Sequence, residues 1–168
     1  LVKQHYESAD LYKQNNRQDL ADNELAEAKH MEGFLPKQLS AEELEAAITD
    51  KTKVLILPFP NNPTGAIMEK SDLEAIAKVI EEHDIFVMSD EIYSELTYKE
   101  KHVSIVSLPG MKERTIYING FSKAYAMTGW RLGYAVGPHE IIDPMTKLHQ
   151  YAIMSSPTMA QYAATEAL

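Results

Sequence analysis

The 168-residue sequence contains no cysteine, which excludes disulfides, thiolate metal sites and a cysteine nucleophile. It is also poor in positive charge, with 16 lysines and arginines against 25 acidic residues and a net charge of −9. That balance argues against a nucleic-acid partner or an anionic membrane surface, though a local pocket for a small anion remains compatible with it. No apolar run approaches the roughly 20 residues of a membrane helix, and the N-terminal stretch lacks a secretory pattern. The six histidines are scattered without metal-ligand spacing, so no metal site is expected. Internal repeats are absent. The expectation is a soluble, cytoplasmic protein.

Apolar content of 45% and charged content of 24% are ordinary for a folded chain, and the length suits one domain with a real core. Residues 1–32 are polar and free of glycine and proline. They read as a helical or partly disordered leader with no continuous apolar stripe. From Gly33 the character changes. Ser40 and Glu43 stand at capping-box spacing ahead of Leu44, Ala47 and Ile48 on one helical face. VLILPF (54–59) is a branched apolar run of strand length, suited to burial on both faces as in a parallel sheet. A second helix follows, with Ser71 and Glu74 as its capping pair and Leu73, Ile76, Ala77 and Ile80 at helical spacing. IFVMSD (85–90), TIYING (115–120) and LGYAVG (132–137) complete a set of four strands. Beyond Pro138, Ile141, Ile142, Met145 and Leu148 define an apolar helical face, and Pro157 suits the start of one more helix. Alternating strands and helices predict an α/β domain with a mainly parallel sheet flanked by helices.

Ligands of open α/β sheets usually sit at the carboxyl ends of strands. Four such ends here carry polar groups: PNNPTG after the first strand, DEIY after the second, GFSK after the third, and Arg131 leading into the fourth. Each has an ordinary explanation. Asn62–Gly65 can be a simple turn, Asp90 a cap, Tyr93 a core residue and Lys123 a solvated loop lysine. Their coincidence at one sheet edge is what those explanations leave unaddressed.

PNNPTG, SDEIY and GFSKAYAMTGWRLGY, in that order, resemble the aspartate-aminotransferase-like branch of the pyridoxal-phosphate enzymes, from about Gly33 to Leu168. The resemblance implies the central part of a fold-type-I large domain, residues 33–168, usually in a homodimer. It implies pyridoxal 5'-phosphate as cofactor and transfer of an amino group between an amino acid and a 2-oxo acid. By the same resemblance, Lys123 forms the Schiff base and then carries the substrate α-proton, chemistry that requires an amine. Asp90 keeps the pyridine nitrogen protonated, Asn62 and Tyr93 donate to the ring's phenolic oxygen, and Ile92 lies against a ring face. Ser122 and Arg131 hold the phosphate, for which a planar guanidinium fork is suited. The Asn62–Pro63 bond is expected to be cis.

Gly120 departs from the hydroxyl residue that many relatives carry three positions before the lysine, which removes one expected phosphate contact. The family's upstream phosphate loop, ring-stacking aromatic and substrate-carboxylate arginine have no counterpart in the sequence. The expectation is therefore a central fragment, active in an intact parent, whose exposed sheet edges favour self-association. Two readings of other kinds stay open: a carbon–sulfur lyase of the same fold, and a non-catalytic cofactor-binding or regulatory fragment. The stretch SELTYKEKH (94–102) is the candidate for influencing substrate choice.

Overall fold

A computed structural model describes residues 2–32, 40–98 and 101–168. Gly33, from which the family resemblance was read, and residues 99 and 100 of SELTYKEKH lie outside the described residues. The chain forms two compact units, divided between residues 39 and 40.

The first unit is a helical hairpin of α1 (Val2–Gln14) and α2 (Gln18–Glu32). In place of a broad apolar stripe, fully buried Ala9, Ala21 and Ala28 lie within it, small enough to let helix backbones approach closely. Asn16 turns the chain at a φ of 56°, a left-handed conformation that asparagine tolerates better than most residues. Arg17 grips Asp19 through two hydrogen bonds, of 3.1 and 2.9 Å. Those bonds, together with the guanidinium charge, hold the Asp19 carboxyl below its ordinary pKa. His5, Glu24 and Glu27 converge across the hairpin, their ligand-type atoms all within 4.8 Å of one another. His5 Nδ1 and Glu24 Oε2, 2.7 Å apart, form a hydrogen-bonded pair that accounts for this grouping. Sequence spacing could not show it, because the two residues meet only through helix packing.

The second unit contains α3 (Ala41–Ala47), β1 (Val54–Leu57), α4 (Lys70–Glu81), β2 (Phe86–Asp90), β3 (Thr115–Gly120), α5 (Phe121–Ala124), β4 (Gly133–Val136), α6 (His139–Ala152) and α7 (Thr158–Ala167). Its sheet has the order β1-β2-β3-β4. The first three strands are parallel, in a register that aligns Ile56 with Met88 and Met88 with Ile116. Strand β4 runs antiparallel to β3, with Gly120 opposite Gly133. The fold is α/β with a mainly parallel sheet, as the strand pattern predicts.

The Ser40–Glu43 capping box is present, with Glu43 N donating to Ser40 Oγ at 3.2 Å and Ser40 N to Glu43 Oε2 at 3.0 Å. Replacing Ser40 by alanine leaves a backbone donor unsatisfied and should cost about 1 kcal/mol, read from the urea midpoint. Helix α4 starts earlier than its sequence suggested. Glu69, not Ser71, is the N-cap, and its N–H donates to Asp72 Oδ2 at 3.1 Å. The pair Glu69/Asp72 has the same spacing as Ser71/Glu74, so spacing alone could not choose between them.

Helix α4 buries Leu73, Ile76, Ala77 and Ile80 in a core with Leu57, Val87 and Met111. Pro58, which has no N–H to donate, follows the end of β1 at Leu57. Burial of β1 on both faces does not hold. Val54 and Ile56 are 42% and 59% exposed, since strand alternation turns them away from the α4 core. Helix α6 forms where expected, but its apolar face is only partly covered. Ile141 and Ile142 are half-buried, whereas Leu148 is 71% exposed. Pro157 sits one position before α7, as its N-cap.

Candidate active site

The strand ends converge as the sequence suggested. After β1, the segment 58–66 folds into a turn in which Asn61 N donates to Ala66 O, Gly65 N to Asn61 O and Thr64 Oγ1 to Asn61 Oδ1. Both Phe59–Pro60 and Asn62–Pro63 are cis, the second as expected. Asn61 thus holds the turn together, which leaves its neighbour Asn62 for a distant partner. Asn62 Nδ2 donates to Tyr93 Oη at 3.1 Å, across 31 residues of sequence.

Tyr93 belongs to the turn that follows β2. Asp90, the last residue of that strand, accepts a hydrogen bond at Oδ1 from Ile92 N, 3.2 Å away. The capping explanation of Asp90 is therefore true for one oxygen, while Oδ2 accepts no hydrogen bond among the described residues. Lys123 lies on α5, a single helical turn, and not in a loop. It is half-buried, with Nζ 5.3 Å from the centroid of the Tyr93 ring, within cation–π range. Asn62, Tyr93 and Lys123 are thus brought together from three separate segments.

Ser122 and Arg131 are not joined to that group. Arg131 is exposed, at a φ of 55°, and its Nη1 donates to Thr128 O at 2.9 Å. No hydrogen bond links it to Ser122 or Lys123. The lysine segment is backed by Phe121 and Met127, which pack with Ala164 of α7.

Gly120 has a steric cause. A Cβ there would lie 2.9 Å from both Gly133 Cα and Leu132 O, backbone atoms that cannot swing aside. The missing hydroxyl is thus excluded by the close approach of β3 and β4. Gly120→Ser should cost about 2 kcal/mol, within the range for overpacking a close contact, and lower the urea midpoint accordingly.

Two buried residues were missed in the sequence reading. Asn119 donates to Ser94 Oγ at 3.2 Å and to Tyr117 Oη at 2.6 Å, and accepts from Gly120 N at 2.7 Å. It ties the Tyr93 turn to the start of the lysine helix. Glu91 is 2% exposed and hydrogen-bonded throughout. Period-two alternation could have flagged it, as a charged residue sharing a strand face with Val87 and Ser89. Nearby, burial first and then Tyr117 raise the Tyr134 phenol above its ordinary pKa.

A mainly parallel α/β sheet thus brings a lysine, a tyrosine and an asparagine together beyond its strand ends. The sequence profile described as aminotransferase class I and II matches residues 26–168, and the chain belongs to that family. The family's cofactor is pyridoxal 5'-phosphate. The chain is 51% identical over 132 residues to an aspartate aminotransferase of Pyrococcus abyssi, an alignment covering 78% of this chain and 34% of that protein. It is 49% identical over 132 residues to aromatic-amino-acid aminotransferase 2 of Thermococcus litoralis, covering 78% and 34%. Among solved structures, the aromatic aminotransferase of Pyrococcus horikoshii superposes with a TM-score of 0.74 at 50% identity, covering 77% of this chain and 35% of that one. The chain thus spans about a third of the length of the curated relatives it matches.

Proposed function

We propose that this chain supplies the central cofactor-binding part of an enzyme that moves an amino group between an amino acid and a 2-oxo acid. The observation that carries the reading is the meeting of Asn62, Tyr93 and Lys123 beside the strand end that bears Asp90. These residues fit pyridoxal phosphate. The Asn62–Tyr93 pair offers polar hydrogens for a phenolic oxygen, Asp90 Oδ2 has no competing partner among the described residues, and Lys123 is within reach of the Tyr93 ring.

When bound, the cofactor ring accepts the electron pair left as the substrate α-proton departs. Asp90, oriented by the Ile92 amide at Oδ1, would hold a proton on the ring nitrogen. Tyr93 and Asn62 would donate to the phenolic oxygen, and Ile92 would line a face of the ring. Lys123 Nζ would hold the cofactor aldehyde covalently and, once a substrate amine had displaced it, the freed amine would take up the substrate α-proton. Ser122 and Arg131 would hold the phosphate, the guanidinium having donors besides the one that bonds Thr128 O. The residue-26-to-168 match and the aminotransferase names of the relatives favour transamination over the lyase reading.

Self-association, as a homodimer or a larger assembly, belongs to the same proposal. It is supported by exposed Leu148, Tyr151, Ile153, Met154, Met159 and Tyr162 on and between α6 and α7. Among the described residues no helix is long and apolar enough to cross a membrane, and with the acidic charge balance this supports a cytoplasmic site of action. The test is borohydride reduction of the chain with pyridoxal phosphate, followed by mass spectrometric mapping. One label per chain at Lys123 is expected. Labels scattered over surface lysines would overturn the reading for this chain.

A further inference from the structure

Glu91 follows Asp90 directly, yet the proposed chemistry has no use for it. Its carboxylate is 2% exposed, an expensive place for a charged group unless it is fully hydrogen-bonded. It is so bonded. Ser89 Oγ donates to Oε1 at 2.9 Å, Ser104 Oγ to the same oxygen at 2.7 Å, and His102 Nε2 lies 2.6 Å from Oε2.

The placement of these partners gives the arrangement a purpose beyond stability. Strand alternation puts Ser89 and Glu91 on one face and Asp90 on the other. The chain then leaves the strand at Ile92 and returns at His102 and Ser104, whose side chains close on Glu91. One carboxylate therefore clamps both ends of the excursion that carries Ile92 and Tyr93. The main chain of Glu91 is fixed as well. Its N–H donates to Ile118 O at 2.9 Å, extending the β2–β3 pairing past Asp90, and its carbonyl accepts from Ser94 N at 2.9 Å. Asp90 and Glu91 share a peptide unit, so the backbone of Asp90 is held by the same contacts, and its side chain by Ile92 N at Oδ1.

We infer that Glu91 is a positioning residue. Its buried hydrogen bonds to Ser89, His102 and Ser104 hold the 91–94 turn so that Asp90 and Tyr93 present fixed groups to the cofactor. The inference rests on the function proposed above for those two residues. It assigns no contact between Glu91 and cofactor or substrate.

The test is Glu91→Gln in the full chain, which keeps the side-chain volume and removes the charge. Amide hydrogen exchange is measured without cofactor at Glu91, Ile92, Ser94 and Leu96, with the helix Lys70–Glu81 as internal reference. Exchange at the four turn amides is expected to rise about tenfold, with the reference helix unchanged, as for a local opening. Pyridoxal phosphate titration should show affinity weakened about tenfold and a displaced pH profile for the absorbance of the lysine-bound cofactor. Should Glu91→Gln fail to fold, Ser104→Ala carries the same test, with a rise of about threefold at the same amides.

Unchanged exchange at the turn, or an equal rise in the turn and the reference helix, overturns the inference. The second outcome would show a merely global stabilising role. If the unaltered chain takes no pyridoxal phosphate while the exchange effect stays confined to the turn, the proposed function falls and the anchoring role of Glu91 is supported.

Discussion

Lys123→Ala should abolish stoichiometric borohydride-fixed pyridoxal phosphate on this chain, with no other lysine taking its place above background labelling. The expected loss is complete because covalent capture of an aldehyde requires a primary amine at that position. The substitution should leave the fold standing. Lys123 contributes one cation–π contact with Tyr93, worth about 0.5–1 kcal/mol, and alanine is a better helix former than lysine for α5. A urea midpoint close to that of the parent chain, together with an empty label site, would confirm that capture depends on this amine. Persisting one-to-one label would remove Lys123 from its assigned place.

Particular residues show which features the sequence made legible. The four strands were readable because branched apolar runs of strand length are separated by turn residues, and β3 matches its prediction over Thr115–Gly120. The Ser40 cap was readable because capping is local chemistry. The α4 cap was not, since two candidate pairs share one spacing, and it is Glu69 with Asp72 that forms the box. The exposure of Val54 and Ile56 was hidden for a related reason. A run of apolar residues records what a strand could bury, whereas what covers each face depends on neighbouring elements.

The site divides in the same way. Asn62 and Tyr93 were named from a motif, and their 3.1 Å hydrogen bond places them together. The roles of Ser122 and Arg131 remain motif-borne, because Arg131 turns back to Thr128 O. Glu91 and Asn119 were passed over because each sits beside a residue with an obvious part, Asp90 and Gly120. Their importance lies in long-range partners, Ser104 and Ser94, that no local pattern links to them.

Asp90→Asn tests the other half of the proposed chemistry. Asparagine matches aspartate in shape, and its side-chain oxygen can still accept from Ile92 N, so the turn and the urea midpoint should be preserved. What disappears is the negative charge proposed to hold a proton on the ring nitrogen. A charged hydrogen bond of this kind is worth about 1.5–3 kcal/mol, so pyridoxal phosphate affinity should fall by roughly ten- to a hundredfold. Covalent capture by Lys123 should persist at saturating cofactor, because the aldehyde end is untouched. Exchange of a substrate α-proton with deuterium, measured in the complete enzyme, should slow by about a hundredfold or more as charge stabilisation is lost. This pattern would separate the two ends of the cofactor, with Lys123 governing attachment and Asp90 governing reactivity. Exchange at the parental rate in Asp90→Asn would place the ring-nitrogen partner elsewhere in the protein and leave Asp90 with only its turn-forming bond to Ile92.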